Sequence, residues 1–401
     1  MTRSQQISAL LLGLLIIANV WQPIADHPGT DNLYVSQADA FLQGRLDIAE
    51  YGWDASVVGE KFYVAFPPVP ALLITPVVAI LGTVATDTTV IALLLFALTL
   101  AVVWRILGQL QIPATQRFWS LLAFGMGTPL WHAVRASNGV WFFAHIVAVF
   151  FLILSIHEAL GKGRGWLTGV FLAGAMLSRQ FTLFAGMFLV VALWQNEAPG
   201  KRGRSRWLNL AGFLLPLALA GGGYLWLNYA RFGNPLDTGY GAMRLGGFLA
   251  DRVTAHGPLS PAYFFFNLAY LLFQGFHINF AAPDLLSGLE MDPYGTSLLA
   301  ASPFVVAAFF AVRDRRVWAA WVSVLLMAFA TLFYYNNGWM QVNGQRFTLD
   351  FWPLLLMPLA LGLQRQFAAG QSRLWQGVIL YAVLLNVLAL VLLEPLNPFL
   401  P

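Results

Sequence analysis

Apolar runs long enough to cross a bilayer recur from residue 7 to residue 393, so hydrophobic stretches are the body of this chain and not an anchor on a soluble domain. Only 10% of its 401 residues are charged. A soluble domain carries roughly a quarter, so a soluble core is excluded. The first run, Ile7 to Trp21, follows Arg3 in the manner of a signal peptide, but Ala18-Asn19-Val20-Trp21 is a poor cleavage site, and the run reads as a retained first helix. The net charge of +4 sits in loops, where it reports orientation and gives no case for nucleic acid. The absence of cysteine excludes disulfides, thiolate metal sites and cysteine nucleophiles.

Basic residues cluster at Lys201-Arg202-Gly203-Arg204-Ser205-Arg206 and at Arg313-Asp314-Arg315-Arg316, and the positive-inside rule makes both cytoplasmic. Counting from them predicts an all-α bundle of about eleven spans, with the N-terminus inside and the C-terminus outside. Trp166–Trp194, broken at Ser178-Arg179-Gln180, becomes two short helices meeting near the outer surface. Parity leaves Phe66–Gly82 without a full crossing, and its four prolines agree with a re-entrant or surface-lying segment. Tyr263–Phe276 is short and aromatic and is expected at the interface. The organisation expected is an N-terminal transmembrane module, 1–228, that includes a first outer loop over 23–87. A second outer loop, 229–296, and a C-terminal transmembrane module, 297–401, follow. The two long loops hold most of the acidic residues and are the expected functional face.

The first loop carries Asp31, Tyr34, Ala38 and Lys61, then Pro67-Pro68 opening an apolar stretch. Later segments include Gly127-Thr128-Pro129-Leu130-Trp131, Trp141-Phe142-Phe143-Ala144-His145, Leu177-Ser178-Arg179, Asn228-Tyr229-Ala230-Arg231-Phe232-Gly233 and Gly344-Gln345-Arg346-Phe347. This arrangement resembles the GT-C superfamily of membrane glycosyltransferases, in its branch of protein O-mannosyltransferases and lipid A aminoarabinose transferases. Asn32 stands where those families usually have Glu. The resemblance implies transfer of a sugar from a polyprenyl-phosphate carrier to a glycan, lipid or protein acceptor at the outer face of the inner membrane, with inversion. One carboxylate must then take the acceptor's proton, and cations must stabilise the charge growing on the phosphate.

On that reading Asp31 is the candidate base, and Arg179, Lys61 and Arg346 are the candidate phosphate ligands. Tyr34, Asp39, His145, Arg231, Tyr240 and Arg244 are candidate substrate contacts. Each has an ordinary explanation beside the functional one. Asp31 near Gly-Pro suits a turn or helix cap. Asp39 suits the wet face of an amphipathic helix. Arg179 suits a snorkelling helix end, Lys61 a surface charge, and Arg346 an ion pair with Asp350 at helical spacing. His145 suits a hydrogen-bonded core residue, and Arg231 and Arg244 suit surface charges. No two histidines share i, i+4 spacing on one helix, so no metal is demanded, although a divalent ion is compatible with the chemistry. A secondary transporter is the rival class, and it calls for ionisable residues in mid-span and repeated halves. A non-catalytic relative that binds lipid or glycan, and a glycan polymerase or ligase, are the further alternatives.

Overall fold

Prolines, glycines and buried amides decide where this chain's apolar stretches become helices and where they stop. A computed structural model describes residues 2–26, 32–52, 54–196, 204–280, 283, 289–292, 294–338 and 341–393. The helices are α1 (Arg3–Asp26), α2 (Leu33–Leu42), α3 (Val69–Ala85), α4 (Thr88–Gln109), α5 (Ala114–Met126), α6 (Leu130–Arg135), α7 (Val140–Leu160) and α8 (Gly165–Met176). They continue as α9 (Gly186–Gln195), α10 (Arg204–Phe232), α11 (Gly247–His256), α12 (Phe264–Leu268), α13 (Leu298–Ala301), α14 (Arg315–Leu332), α15 (Trp352–Ala368) and α16 (Ser372–Val387). The strands are short: an antiparallel hairpin of β1 (Ala55–Val58) and β2 (Lys61–Val64), an antiparallel pair β3 (Ile278–Phe280) and β4 (Leu289–Met291), and a parallel pair β5 (Tyr294–Thr296) and β6 (Gln341–Gly344).

Six helical stretches among the described residues are long and apolar enough to cross a bilayer: Arg3–Ala25, Thr88–Gln109, Val140–Leu160, Ser205–Phe232, Arg315–Leu332 and Ser372–Val391. The protein is therefore a multi-pass membrane protein with an all-α body. The other stretches expected to span are helical but short or interrupted. The Trp166–Trp194 run is α8, a 3-10 turn over Gln180–Ala185, and α9, with its break at 177–179. Ser297–Val312 is not one α-helix, because Pro303 lacks an amide proton and Ser302 leaves helical backbone, so α13 yields to a 3-10 helix over Pro303–Phe310. The Phe66–Gly82 stretch lies largely within α3, which starts after Pro67-Pro68, holds Pro76 inside, and turns through a left-handed Gly82.

Packing divides the chain into two compact units by alternating stretches. One comprises Met1–Asn19, Leu100–Ala133 and His256–Pro401, and the other Val20–Thr99 and Val134–Ala255. This grouping follows side-chain packing, whereas the boundaries at 228 and 296 follow loops.

In the second unit α7 is buried along most of its surface and forms the centre. Helix α8 lies against α10 through Gly165 and Gly169, where a Cβ would strike the backbone carbonyls of Asn209 and Phe213. This is small-residue packing, which lets backbones approach where no hydrophobic drive separates helix from lipid. The Asn209 carboxamide fastens the crossing, accepting from Gly165 N at 2.6 Å and donating to Gly163 O at 2.8 Å. The far side of α10 leaves Leu214, Leu215 and Leu219 more than half exposed, which in this setting is a lipid-facing surface.

In the first unit the core is α5, α15, α16 and the 3-10 helix over Pro303–Phe310. Gly362 sits against the Ala307 carbonyl with no room for a Cβ. Gly127 sits under the Phe304 ring, its carbonyl accepting from Ser302 Oγ at 2.5 Å. Asn386 reaches from α16 to the Met126 carbonyl at the end of α5, 2.5 Å away. The two broken spans are thus tied to each other where each breaks.

Candidate functional site

The first-loop helix α2 is held by one side chain. Asn32 caps it, accepting from Tyr34 N at 3.0 Å, and its Nδ2 donates to Thr88 Oγ1 at 3.2 Å and to Ser137 O at 3.1 Å. Asn32 is 2% exposed, so three hydrogen bonds deep in the unit fix where α2 begins. The residue before it, Asp31, lies outside the described residues, as does the 201–203 part of the basic cluster.

From that start, Tyr34 is carried into the unit, with its ring 6.2 Å from Phe143 and 6.4 Å from Phe66. Phe66 in turn meets Tyr240 edge to face at 5.9 Å. Burial first, and the neighbouring Tyr240 phenol next, push the Tyr34 phenol well above its ordinary value, while Arg179 pulls the other way. Tyr34 is therefore a neutral donor. Its hydroxyl is buried and has no hydrogen-bond partner, and the same holds for both polar atoms of the Gln37 carboxamide. Gln37 lies three residues along α2, on the same helical face.

Arg179 stands at the elbow between α8 and the Gln180–Ala185 turn, in extended backbone and half-buried. The elbow is joined to the double proline, since Val69 N donates to Leu177 O at 3.0 Å. Next to it Gln180 donates to Tyr224 Oη on α10 at 3.1 Å, and Tyr224 accepts from Arg231. Arg231 is 4% exposed and donates to Val64 O at 2.7 Å and to Asn228 Oδ1 at 2.9 Å. Its guanidinium is thus largely occupied in fastening the end of β2 to the end of α10.

The remaining sequence candidates fall on both sides of this cluster. Lys61 is an exposed residue of β2 whose Nζ is 3.7 Å from Asp47, which Arg45 also approaches at 3.7 Å. Asp39 accepts from Gln43 at 2.7 Å along the outer side of α2. Arg244 is exposed and lies over the Tyr51 ring at 5.8 Å. His145 is fully buried on α7. Among the described residues no three His, Asp or Glu side chains gather where they would hold a metal ion. Gln37, Gln180 and Tyr224 were absent from the sequence candidates. The i, i+3 spacing of Gln37 from Tyr34 was the one available signal.

Arg346 belongs to the other unit. It opens a 3-10 turn over Arg346–Asp350 and is 2% exposed, and its backbone N donates to Gln341 Oε1. Gln341 is used on both sides, because its Nε2 donates to Tyr294 O at 2.9 Å across the β5–β6 pair. Around it are amides with no such partners: both polar side-chain atoms of Asn337 and of Asn343, and Nε2 of Gln345, are buried without a hydrogen bond. None of these three residues is more than 4% exposed. Native proteins rarely leave such groups unpaired, so this cluster calls for an explanation.

No protein-family model and no curated protein matches the chain. A solved structure does: ArnT from Cupriavidus metallidurans bound to undecaprenyl phosphate superposes with a TM-score of 0.53 at 14% identity. The match covers 95% of this chain but 65% of ArnT, so the chain spans a little under two thirds of that protein. At this identity the likeness is one of fold, which the chain shares with ArnT.

Proposed function

We propose that the protein is a GT-C-type membrane glycosyltransferase. Its donor would be a polyprenyl-phosphate-linked sugar, its site would lie at the outer face of the inner membrane, and its N-terminus would be cytoplasmic. The observation that carries this reading is the buried, unpartnered Tyr34 hydroxyl, close enough to Arg179 to feel its charge. A neutral donor within reach of a cation's field suits the non-bridging oxygens of a phosphate, since hydrogen bonds to ionised acceptors are the strong ones. The fold agrees, because ArnT was solved with undecaprenyl phosphate bound.

The chemistry follows from the leaving group. The acceptor oxygen or nitrogen attacks the anomeric carbon, the bond from that carbon to the phosphate oxygen breaks, and the phosphate keeps the electron pair. The acceptor's proton goes to the Asp31 carboxylate. Phosphate leaves without needing protonation, so one base and a cationic cradle suffice. Arg179 and Tyr34 would hold the phosphate, with Lys61 as a further cation and no metal in the step. Gln37 would meet hydroxyls of the sugar.

The test is transfer of a labelled hexose from undecaprenyl phosphate to acceptors in a membrane extract, with protein reconstituted in liposomes. Wild type is compared with Asp31→Asn. Near-complete loss in the variant is expected, and an unchanged rate would remove Asp31 from the role of base. Uptake of the free sugar into sealed liposomes without any transfer would favour a transporter.

A further inference from the structure

The first unit carries a cavity of about 620 Å³ whose lining includes none of the candidate site residues. Its walls are the end of the 3-10 helix, with Phe309 and Phe310, and one face of α14, with Trp318, Trp321 and Leu325. Phe309 stacks on Trp321 at 4.7 Å. Phe309, Trp318 and Leu325 are each more than half exposed, so the walls are apolar and open to the hydrocarbon region. The rim is different, because it holds Arg313 and Arg365.

The charges at that rim sort cleanly. Asp314 caps α14, accepting from Arg316 N at 2.7 Å, and its carboxylate is paired with the Arg316 guanidinium at 2.9 Å. Its charge is thereby taken by Arg316. Arg313 and Arg365 are exposed and have no carboxylate partner among the described residues. Two free guanidinium groups at the mouth of an apolar trough form an amphipathic receptor, with an anion at one end and a chain at the other.

We propose that this groove seats an anionic glycerophospholipid, with its phosphate on Arg313 and Arg365 and one acyl chain along Phe309, Trp321 and Leu325. Arg313 belongs to a basic cluster that marks an expected cytoplasmic end, and anionic headgroups are concentrated at that leaflet. The polyprenyl-phosphate carrier is not the occupant. Within this unit Arg346 precedes α15 and Arg365 is in its last turn, and Trp352 to Arg365 spans about 20 Å of helix at about 1.5 Å per residue. The groove therefore lies at the other end of α15 from the Arg346 region. The inference stands apart from the proposed transfer reaction and survives if that reaction fails.

The test is native mass spectrometry of the full chain in mild detergent, titrated separately with dioleoyl phosphatidylglycerol, dioleoyl phosphatidylcholine and undecaprenyl phosphate. At about fivefold in affinity per juxtamembrane basic residue, wild type should retain phosphatidylglycerol saturably and at least about tenfold more tightly than phosphatidylcholine. The double variant Arg313→Gln, Arg365→Gln should lose that preference. Leu325→Trp, which fills the trough and leaves both arginines, should weaken retention of phosphatidylglycerol. Equal retention of the two phospholipids by wild type would overturn the proposal, as would a preference that survives in the double variant. Displacement of phosphatidylglycerol by undecaprenyl phosphate would overturn it too, by making the carrier lipid the occupant.

Discussion

The polar groups around α2 and those around β6 are buried to a similar degree, but they are used differently. Around α2, Asn32, Asn228 and the two terminal nitrogens of Arg231 spend their hydrogen bonds on backbone and on one another, and Tyr34, Gln37 and Arg231 Nε are left over. Around β6, Gln341 is spent in the same way, but Asn337, Asn343 and Gln345 are not. A buried polar group that holds the fold and one that waits for a ligand look alike in sequence. Their hydrogen-bond partners separate them, and substitution should separate them too: removing the first kind costs stability, and removing the second costs binding.

The largest effect is expected at Arg231. Removing this buried guanidinium leaves the Val64 carbonyl and the Asn228 side-chain oxygen without their donor, which should cost about 3 kcal/mol. Arg231→Ala should therefore lower the thermal unfolding midpoint of the detergent-solubilised protein sharply. A midpoint within a degree of wild type would move Arg231 into the group that waits for substrate. Arg179→Ala is the counterpart. Loss of one charge-stabilising group at a reacting centre costs about 100-fold in rate, so transfer should fall by that order.

Asn32 tests the same division on a smaller scale. Asn32→Ala removes a helix cap and two further buried hydrogen bonds, for an expected loss of about 2 kcal/mol by thermal unfolding. The family resemblance puts Glu at this position, and the structure shows what Asn does there: its two amide protons reach Thr88 and Ser137 at once, as a carboxylate could not. A weak effect would mean that α2 is placed by Tyr34 and its aromatic neighbours.

Much of this was legible in the sequence. Charge-free runs gave the bundle, Ser178-Arg179-Gln180 marked the elbow, and Pro67-Pro68 marked the start of α3, because each signal is local. The breaks at Gly127 and Ser302 were missed as a pair, since the hydrogen bond that joins them links residues 175 positions apart. The carboxamides at 337–345 were missed for a related reason. Asn and Gln in a loop-like stretch read as solvated, and only tertiary packing shows that water has been excluded from them.

Tyr34→Phe should weaken binding of undecaprenyl phosphate about fivefold, the worth of one hydrogen bond of about 1 kcal/mol. The same change should leave neutral-pH stability intact, since the hydroxyl has no partner to lose. Alkaline pH adds a second readout. The folded-state value of Tyr34 is raised above the ordinary 10.0, so the stability tied to its protonated form is full below pH 10 and is lost as pH climbs from there. Tyr34→Phe should therefore blunt the alkaline fall in unfolding midpoint. If wild type and variant fall together, the phenol is already exposed to water and the cluster is more open than its contacts indicate.

The smallest effect has the opposite sign. An unpaired buried carboxamide gives up its hydration for nothing, so Asn343→Leu, similar in volume, should raise the unfolding free energy of the empty protein by up to about 1 kcal/mol. A stabilised protein is what an unpaired recognition group predicts. A destabilised one would place Asn343 beside Asn32, as part of the frame, with ordered water as its partner.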